Sequence, residues 1–89
     1  MRLDLFLKQT GLVKRRPIAK AMCDATKILR NGRAAKANDE VRMGDALRIH
    51  YGVRTLDVEI LSVPTGNVGK AQREDFFRIT AEKREEEEF

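Results

Sequence analysis

The stretch Ile28-Leu29-Arg30-Asn31-Gly32-Arg33-Ala34-Ala35 decides the fold, because the hydrophobic period changes there. Asparagine and glycine both tolerate positive φ, and as a pair they favour the two-residue turn whose twist matches an antiparallel hairpin. Upstream of the pair, apolar residues recur every three or four positions, whereas downstream they alternate. The chain therefore divides into a helical first third and a sheet-forming remainder, which predicts the α+β class.

Upstream, Leu3, Phe6 and Leu7 recur at i, i+3 and i+4 and form one face of a short helix, with Arg2 and Lys8 elsewhere and Gly11 as its stop. Pro17 is placed to open a second helix, where its missing N–H costs nothing. Ile18, Met22 and Ala25, flanked by Ala19, Cys23 and Thr26, supply the apolar side of that helix. Downstream, a second turn at Met43-Gly44-Asp45 precedes Leu47, Ile49 and Tyr51, which alternate with Arg48 and His50; after Gly52, Leu56, Val58 and Ile60 alternate with Asp57 and Glu59. These are two half-buried antiparallel strands, each with one wet face. Residues 64–69 read as a loop, Phe76-Phe77-Arg78-Ile79 as a last short strand, and the glutamates at 85–88 as a frayed, solvated end. The expected organisation is one domain over residues 1–80 and an acidic, disordered tail over 81–89.

The 89 residues suffice for a modest core. Charged residues make up 36% of them, against roughly 25% in typical domains, so the surface is ionic. A lone Cys23 on the apolar side of a helix forms no internal disulfide and suits a reduced, cytoplasmic setting. No apolar run approaches the roughly 18 residues of a membrane span, and residues 1–8 lack the uninterrupted apolar centre of a signal peptide. A soluble intracellular chain, monomeric when free, is expected.

The net charge of +4 conceals a strong asymmetry. Residues 1–36 hold ten Lys/Arg against only Asp4 and Asp24, a net +8, whereas residues 37–80 carry −1 and residues 81–89 carry −3. Segregation of this kind points to a polyanionic partner, and nucleic acid fits better than an anionic membrane because the bulky apolar residues are committed to the core. Lys14-Arg15-Arg16 stand immediately before Pro17, where the positive end of a helix dipole disfavours cations and welcomes phosphate. A phosphate arriving there supplies the missing anion. Aromatic residues are only 6% with no Trp, which argues against a platform for stacking single-stranded bases.

Catalysis needs a constellation that the sequence lacks. It has one histidine, His50, and one cysteine, no G-x-S-x-G elbow, no phosphate-cradling P-loop and no zinc-type ligand spacing. Asp57 and Glu59 share a strand face, as carboxylates on wet sheets commonly do. Neither an enzyme nor a cofactor or metal site is expected.

The ordered series Arg2-Leu3-Asp4-Leu5-Phe6-Leu7, Leu12-Val13-Lys14-Arg15-Arg16, Ala19, Asn31-Gly32 and Gly44-Asp45 resembles the RNA-binding domain named after ribosomal small-subunit protein four, in its short stand-alone bacterial form. The resemblance covers roughly residues 1–62. It is strongest to members acting in ribosome-associated quality control, and more distant to a heat-shock member that binds free large subunits. It implies two short helices packed on a small, strongly bent antiparallel sheet, the alpha-L RNA-binding motif. It further implies contact with ribosomal RNA and peptidyl-tRNA on the large subunit, holding the tRNA while a partner factor directs template-free tailing of a stalled chain. Arg2 matches the family's N-terminal arginine, Asp4 its following acid, and Lys14, Arg15 and Arg16 its basic cluster. Asp4 is expected to orient a nearby arginine, since a carboxylate facing phosphate repels it. Lys8 and Lys20 widen the positive patch, while Arg33 and Lys36, flanking the Asn31-Gly32 turn, suit either the same RNA backbone or a solvated loop. The chain departs from the family at Leu5 and Gly11, where cations are common, at Thr26, where glycine is common, and at Arg30, where an apolar residue is common. The same basic surface also suits a detached module serving an RNA-modifying enzyme, an adaptor for an acidic protein, or a DNA binder.

Overall fold

In the computed structural model, which describes residues 1–64 and 69–84, Asn31 and Gly32 close a hairpin with φ of 52° and 82°, the turn their chemistry predicts. Helices α1 (Leu3–Gln9) and α2 (Arg16–Asp24) precede the strands β1 (Ile28–Arg30), β2 (Arg33–Ala34), β3 (Ala46–Tyr51), β4 (Arg54–Ile60) and β5 (Phe77–Arg84); a 3₁₀ segment, Lys70–Phe76, leads into the last. The strands form one antiparallel sheet in the order β2-β1-β3-β4-β5. The α+β class is as the sequence predicts, and the two helices with an antiparallel sheet are as the resemblance implies.

Alternation sets the core. Ile28 pairs with Ile49, Ile49 with Leu56, and Leu47 with Val58, so these apolar side chains share one sheet face. Leu3, Phe6 and Leu7 of α1 are sealed within the same cluster. The loop before β3 joins them: Ala35, Ala37 and Val41 are buried, and the carbonyls of Asp39 and Ala37 accept the N–H groups of Leu3 and Asp4 at 2.8 and 3.0 Å. The register between β4 and β5 shifts between Asp57 and Val58. Thr80 is the extra residue there, its hydroxyl donating to the Asp57 carbonyl at 3.2 Å, and such a bulge bends a sheet.

Two expectations change. Helix α2 starts at Arg16, with Pro17 second, and its buried stripe is Ala19 and Cys23, not the broader face drawn from Ile18 to Thr26. Ile18 is 48% exposed because small residues face inward and the bulky neighbour rotates outward. Ala25 and Thr26 leave that face because the helix ends before them: the N–H of Thr26 bonds the Cys23 carbonyl at 3.0 Å and that of Lys27 bonds the Met22 carbonyl at 2.8 Å, the paired bonds of a Schellman cap. The last strand starts at Phe77 and continues to Arg84, four residues into the segment expected to be tail; residues 85–89, and most of the expected loop at 64–69, lie outside the described residues.

The cap demands a left-handed residue, and Thr26 occupies it with φ of 56°. A β-branched side chain is strained in that conformation, where glycine is at ease. Replacing Thr26 with Gly removes a left-handed penalty of about 1–2 kcal/mol and adds about 0.5–1 kcal/mol of backbone entropy cost. The net gain, about 0.5–1 kcal/mol, is expected to raise Tm by about 4 °C in thermal denaturation followed by circular dichroism; an unchanged or lowered Tm contradicts the strain.

Candidate nucleic-acid interface

The N-terminal ends of α1 and α2 meet at one carboxylate. Asp4 lies in the first turn of α1 with its side chain only 4% exposed. Arg2 donates to it through Nε and Nη2 at 3.2 and 3.1 Å, and Arg16, the first residue of α2, brings Nε to 3.2 Å from Oδ2. The backbone N–H of Leu5 adds a bond of 2.8 Å to Oδ1. Burial alone would raise the pKa of Asp4, but the hydrogen bonds from Arg16, Arg2 and Leu5 and the charge of Arg16 outweigh it and hold the carboxyl below its ordinary value. The aspartate is therefore a charged anchor. Its two arginines remain half exposed, at 51% and 44%, with donors to spare on each fork.

Around this anchor the basic residues converge. Arg2, Asp4, Arg16, Pro17 and Lys20 line one shallow surface depression. Arg15 is the extended residue capping α2, no side chain caps the helix, and its first turn contains no acid. The open N–H groups, the dipole and exposed Lys14, Arg15 and Arg16 thus share one helix start. Lys8 is exposed one turn beyond Asp4. Lys36 is also exposed; its N–H donates to Asp39 Oδ2 at 2.9 Å, and its neighbour Ala37 anchors the Asp4 backbone. Arg33 lies apart, lining a separate depression with Arg30, Asn31, Ala34 and Asp39.

The arginines of the sheet are held differently. Arg48 is paired with Asp57 at 2.8 Å, Arg54 with Glu82 at 2.6 Å and Arg78 with Glu59 at 3.4 Å. Arg30 turns to Asp45 at 3.0 Å. His50 meets the Thr55 hydroxyl at 3.1 Å. Cys23 is buried, and burial, with Asp24 next, pushes its thiol up to about 11, the opposite of an activated nucleophile. Among the described residues no group of three or more His, Cys, Asp or Glu is placed to hold a metal, and no helix is long and apolar enough to cross a membrane. One cation outside the predicted set, Arg73, is brought onto Gly11 by the 3₁₀ segment. No local sequence pattern signals a contact between positions so far apart.

The family model for the S4 domain matches residues 1–47. The chain belongs to the S4 domain family. Proteins named RQC P-site tRNA stabilizing factor resemble this S4 chain over most of its length. One from Halalkalibacterium halodurans is 40% identical over 83 residues, 93% of each chain; one from Streptococcus pneumoniae is 33% identical over 87 residues, 98% of each; one from Bacillus subtilis strain 168 is 43% identical over 60 residues, 67% of this chain and 70% of the relative. Among solved structures, Heat Shock Protein 15 of Vibrio cholerae superposes with a TM-score of 0.83 at 26% identity, covering 91% of this chain and 82% of that one. The solution structure of a hypothetical protein, 36% identical, gives a TM-score of 0.78 over 91% of this chain and 98% of that one.

Removing the charge at Asp4 tests the anchor. Asp4→Asn is expected to lose about 1–3 kcal/mol at pH 7, the worth of hydrogen bonds to charged groups, in urea denaturation. Because the folded-state pKa is depressed, the contribution is full above the unfolded value of about 3.9 and is lost as pH falls through the lower folded value. The gap between the parent and Asp4→Asn is therefore expected to shrink at pH 3; a gap that persists there assigns the loss to shape instead of charge.

Proposed function

We propose that this chain stabilises peptidyl-tRNA in the P site of the large ribosomal subunit during ribosome-associated quality control, by binding ribosomal RNA and tRNA without catalysing a reaction. Arg2, Lys8, Lys14, Arg15, Arg16 and Lys20 form the RNA-contacting face, Asp4 orients the two arginines that meet on it, Lys36 extends it, and Arg33 reaches the RNA from its separate depression at the β1–β2 turn. The observation that carries this function is the buried Asp4 holding Arg2 and Arg16 together at the uncapped start of α2, in a chain that aligns along 93% of its length with a relative named for stabilising P-site tRNA.

The physical basis is anion capture by a prepaid arrangement. Arginine forks grip phosphate oxygens bidentately, and orientation by Asp4 removes part of the entropy that free side chains lose on binding. Recognition then follows RNA shape and phosphate position, not base reading in a groove. The protein acts as a cytoplasmic monomer that requires no cofactor. By holding the tRNA, it lets a separate tailing factor on the same subunit extend the stalled chain.

Sucrose-gradient sedimentation of lysate provides the test. The parent chain is expected to travel with large subunits, and an Arg15→Ala, Arg16→Ala double variant with an unchanged circular dichroism spectrum is expected to remain near the top. The loss of two charge-assisted contacts corresponds to roughly hundredfold weaker binding or more. Cosedimentation of the double variant at the parent level overturns the assigned face. Absence of the parent from ribosomal fractions, with partners that survive RNA digestion, favours a protein adaptor.

A further inference from the structure

The S4 match ends at residue 47, and three arginines beyond it are neutralised across the sheet by Asp57, Glu82 and Glu59. Arg73 differs. It pairs with no carboxylate among the described residues, and its Nε is buried with no hydrogen-bond partner. A sealed, unsatisfied donor on a charged group is costly and calls for a physical account.

Its position supplies one. The side chain of Arg73 lies on Gly11, with Cδ and Nη1 each 3.4 Å and Cζ 4.0 Å from the point where a Cβ would project. Gly11 has φ of 77° and closes the end of α1, its N–H bonding the Lys8 carbonyl at 3.1 Å. The guanidinium is thus seated on bare backbone between Lys8 and Lys14, on the turn that leads to Arg15 and Arg16. The C-terminal end of a helix favours a cation, and glycine lets it approach closely. Of its nitrogens only Nε is both sealed and without an acceptor, so the Nη groups are the ones an incoming anion reaches. Tyr51 steadies the same turn by donating its hydroxyl to the Leu12 carbonyl.

We infer that Arg73 is a further phosphate-contacting residue of the RNA interface, delivered from the C-terminal 3₁₀ segment to the far end of α1. It extends the interface beyond the S4-matched residues and along α1, so that an RNA strand seated at Arg2 and Arg16 meets a second grip near Lys8 and Lys14. The inference rests on the proposed RNA-binding role. It assigns to Arg73 a direct contact, which differs in measurable ways from packing.

The experiment measures affinity of the full chain for purified large ribosomal subunits as a function of salt, for the parent, Arg73→Gln and Arg73→Lys. Each phosphate contact contributes about 0.7–0.9 to the slope of log affinity against log salt. Arg73→Gln is expected to weaken binding about three- to tenfold and to reduce the slope by that amount, while Arg73→Lys keeps the slope. Arg73→Gln binding with the parent's affinity and slope overturns the inference, and so does weaker binding with an unchanged slope, which assigns Arg73 to packing alone. Should Arg73→Gln fail to fold, modification of the parent by phenylglyoxal decides: protection of Arg73 by bound subunits is expected, and equal modification with and without them overturns the contact. A parent chain that does not bind subunits at all defeats the proposed function itself, a result distinct from loss of the Arg73 effect alone.

Discussion

Three cations precede a proline, and the structure brings the last of them, Arg16, together with Arg2 and Lys20 around one buried anion. The Asp4 carboxylate lies almost wholly out of water, where a lone charge is expensive, so it is stable only while Arg2, Arg16 and the Leu5 N–H complete it. The same bonds bring together the ends of two helices that are otherwise joined by the residues 10–15. The carboxylate thus satisfies part of each fork and fixes its plane, and the arginines remain half exposed. The β2–β3 loop takes part as well, because it accepts the N–H of Asp4 and so sets the start of α1 against the sheet.

The sheet places its charges to the opposite effect. Its strands carry more arginines than the helix pair, yet each of Arg48, Arg54 and Arg78 has a carboxylate opposite it or diagonal to it. Cross-strand pairs of this kind contribute modestly to stability and leave little net field. At the helix pair, by contrast, residues 1–24 hold six cations against Asp4 and Asp24, a net +4.

Much of this was legible in the sequence because it depends on local periodicity. Leu3, Phe6 and Leu7 at helical spacing, the alternation through Leu47, Ile49, Leu56 and Val58, and the Asn31-Gly32 turn are each decided by a few neighbouring residues, and all are found as expected. That Asp4 pairs with a nearby arginine follows from electrostatics, although the sharing of one carboxylate by two arginines does not. What escaped was tertiary. Helix α2 packs through Ala19 and Cys23 because close approach favours small residues, a choice that hydrophobicity alone cannot make between Ile18 and Ala19. Thr26 takes a glycine's conformation because the cap imposes it. Arg30 occupies a strand position by reaching a partner fifteen residues away. The length of β5 follows from its partner β4 more than from its own composition.

The Asn31-Gly32 turn carries one more consequence, for the chemical ageing of the chain. An asparagine followed by glycine is the dipeptide most prone to deamidate, since the small neighbour lets its own nitrogen attack the side-chain carbonyl and form a succinimide. Here both ends of that side chain are tethered, Oδ1 by the Ala46 N–H at 2.9 Å and Nδ2 by Asp45 at 3.1 Å. The ring cannot close without surrendering both tethers, so the native hairpin shelters the bond that the unfolded polypeptide leaves open to slow hydrolytic damage.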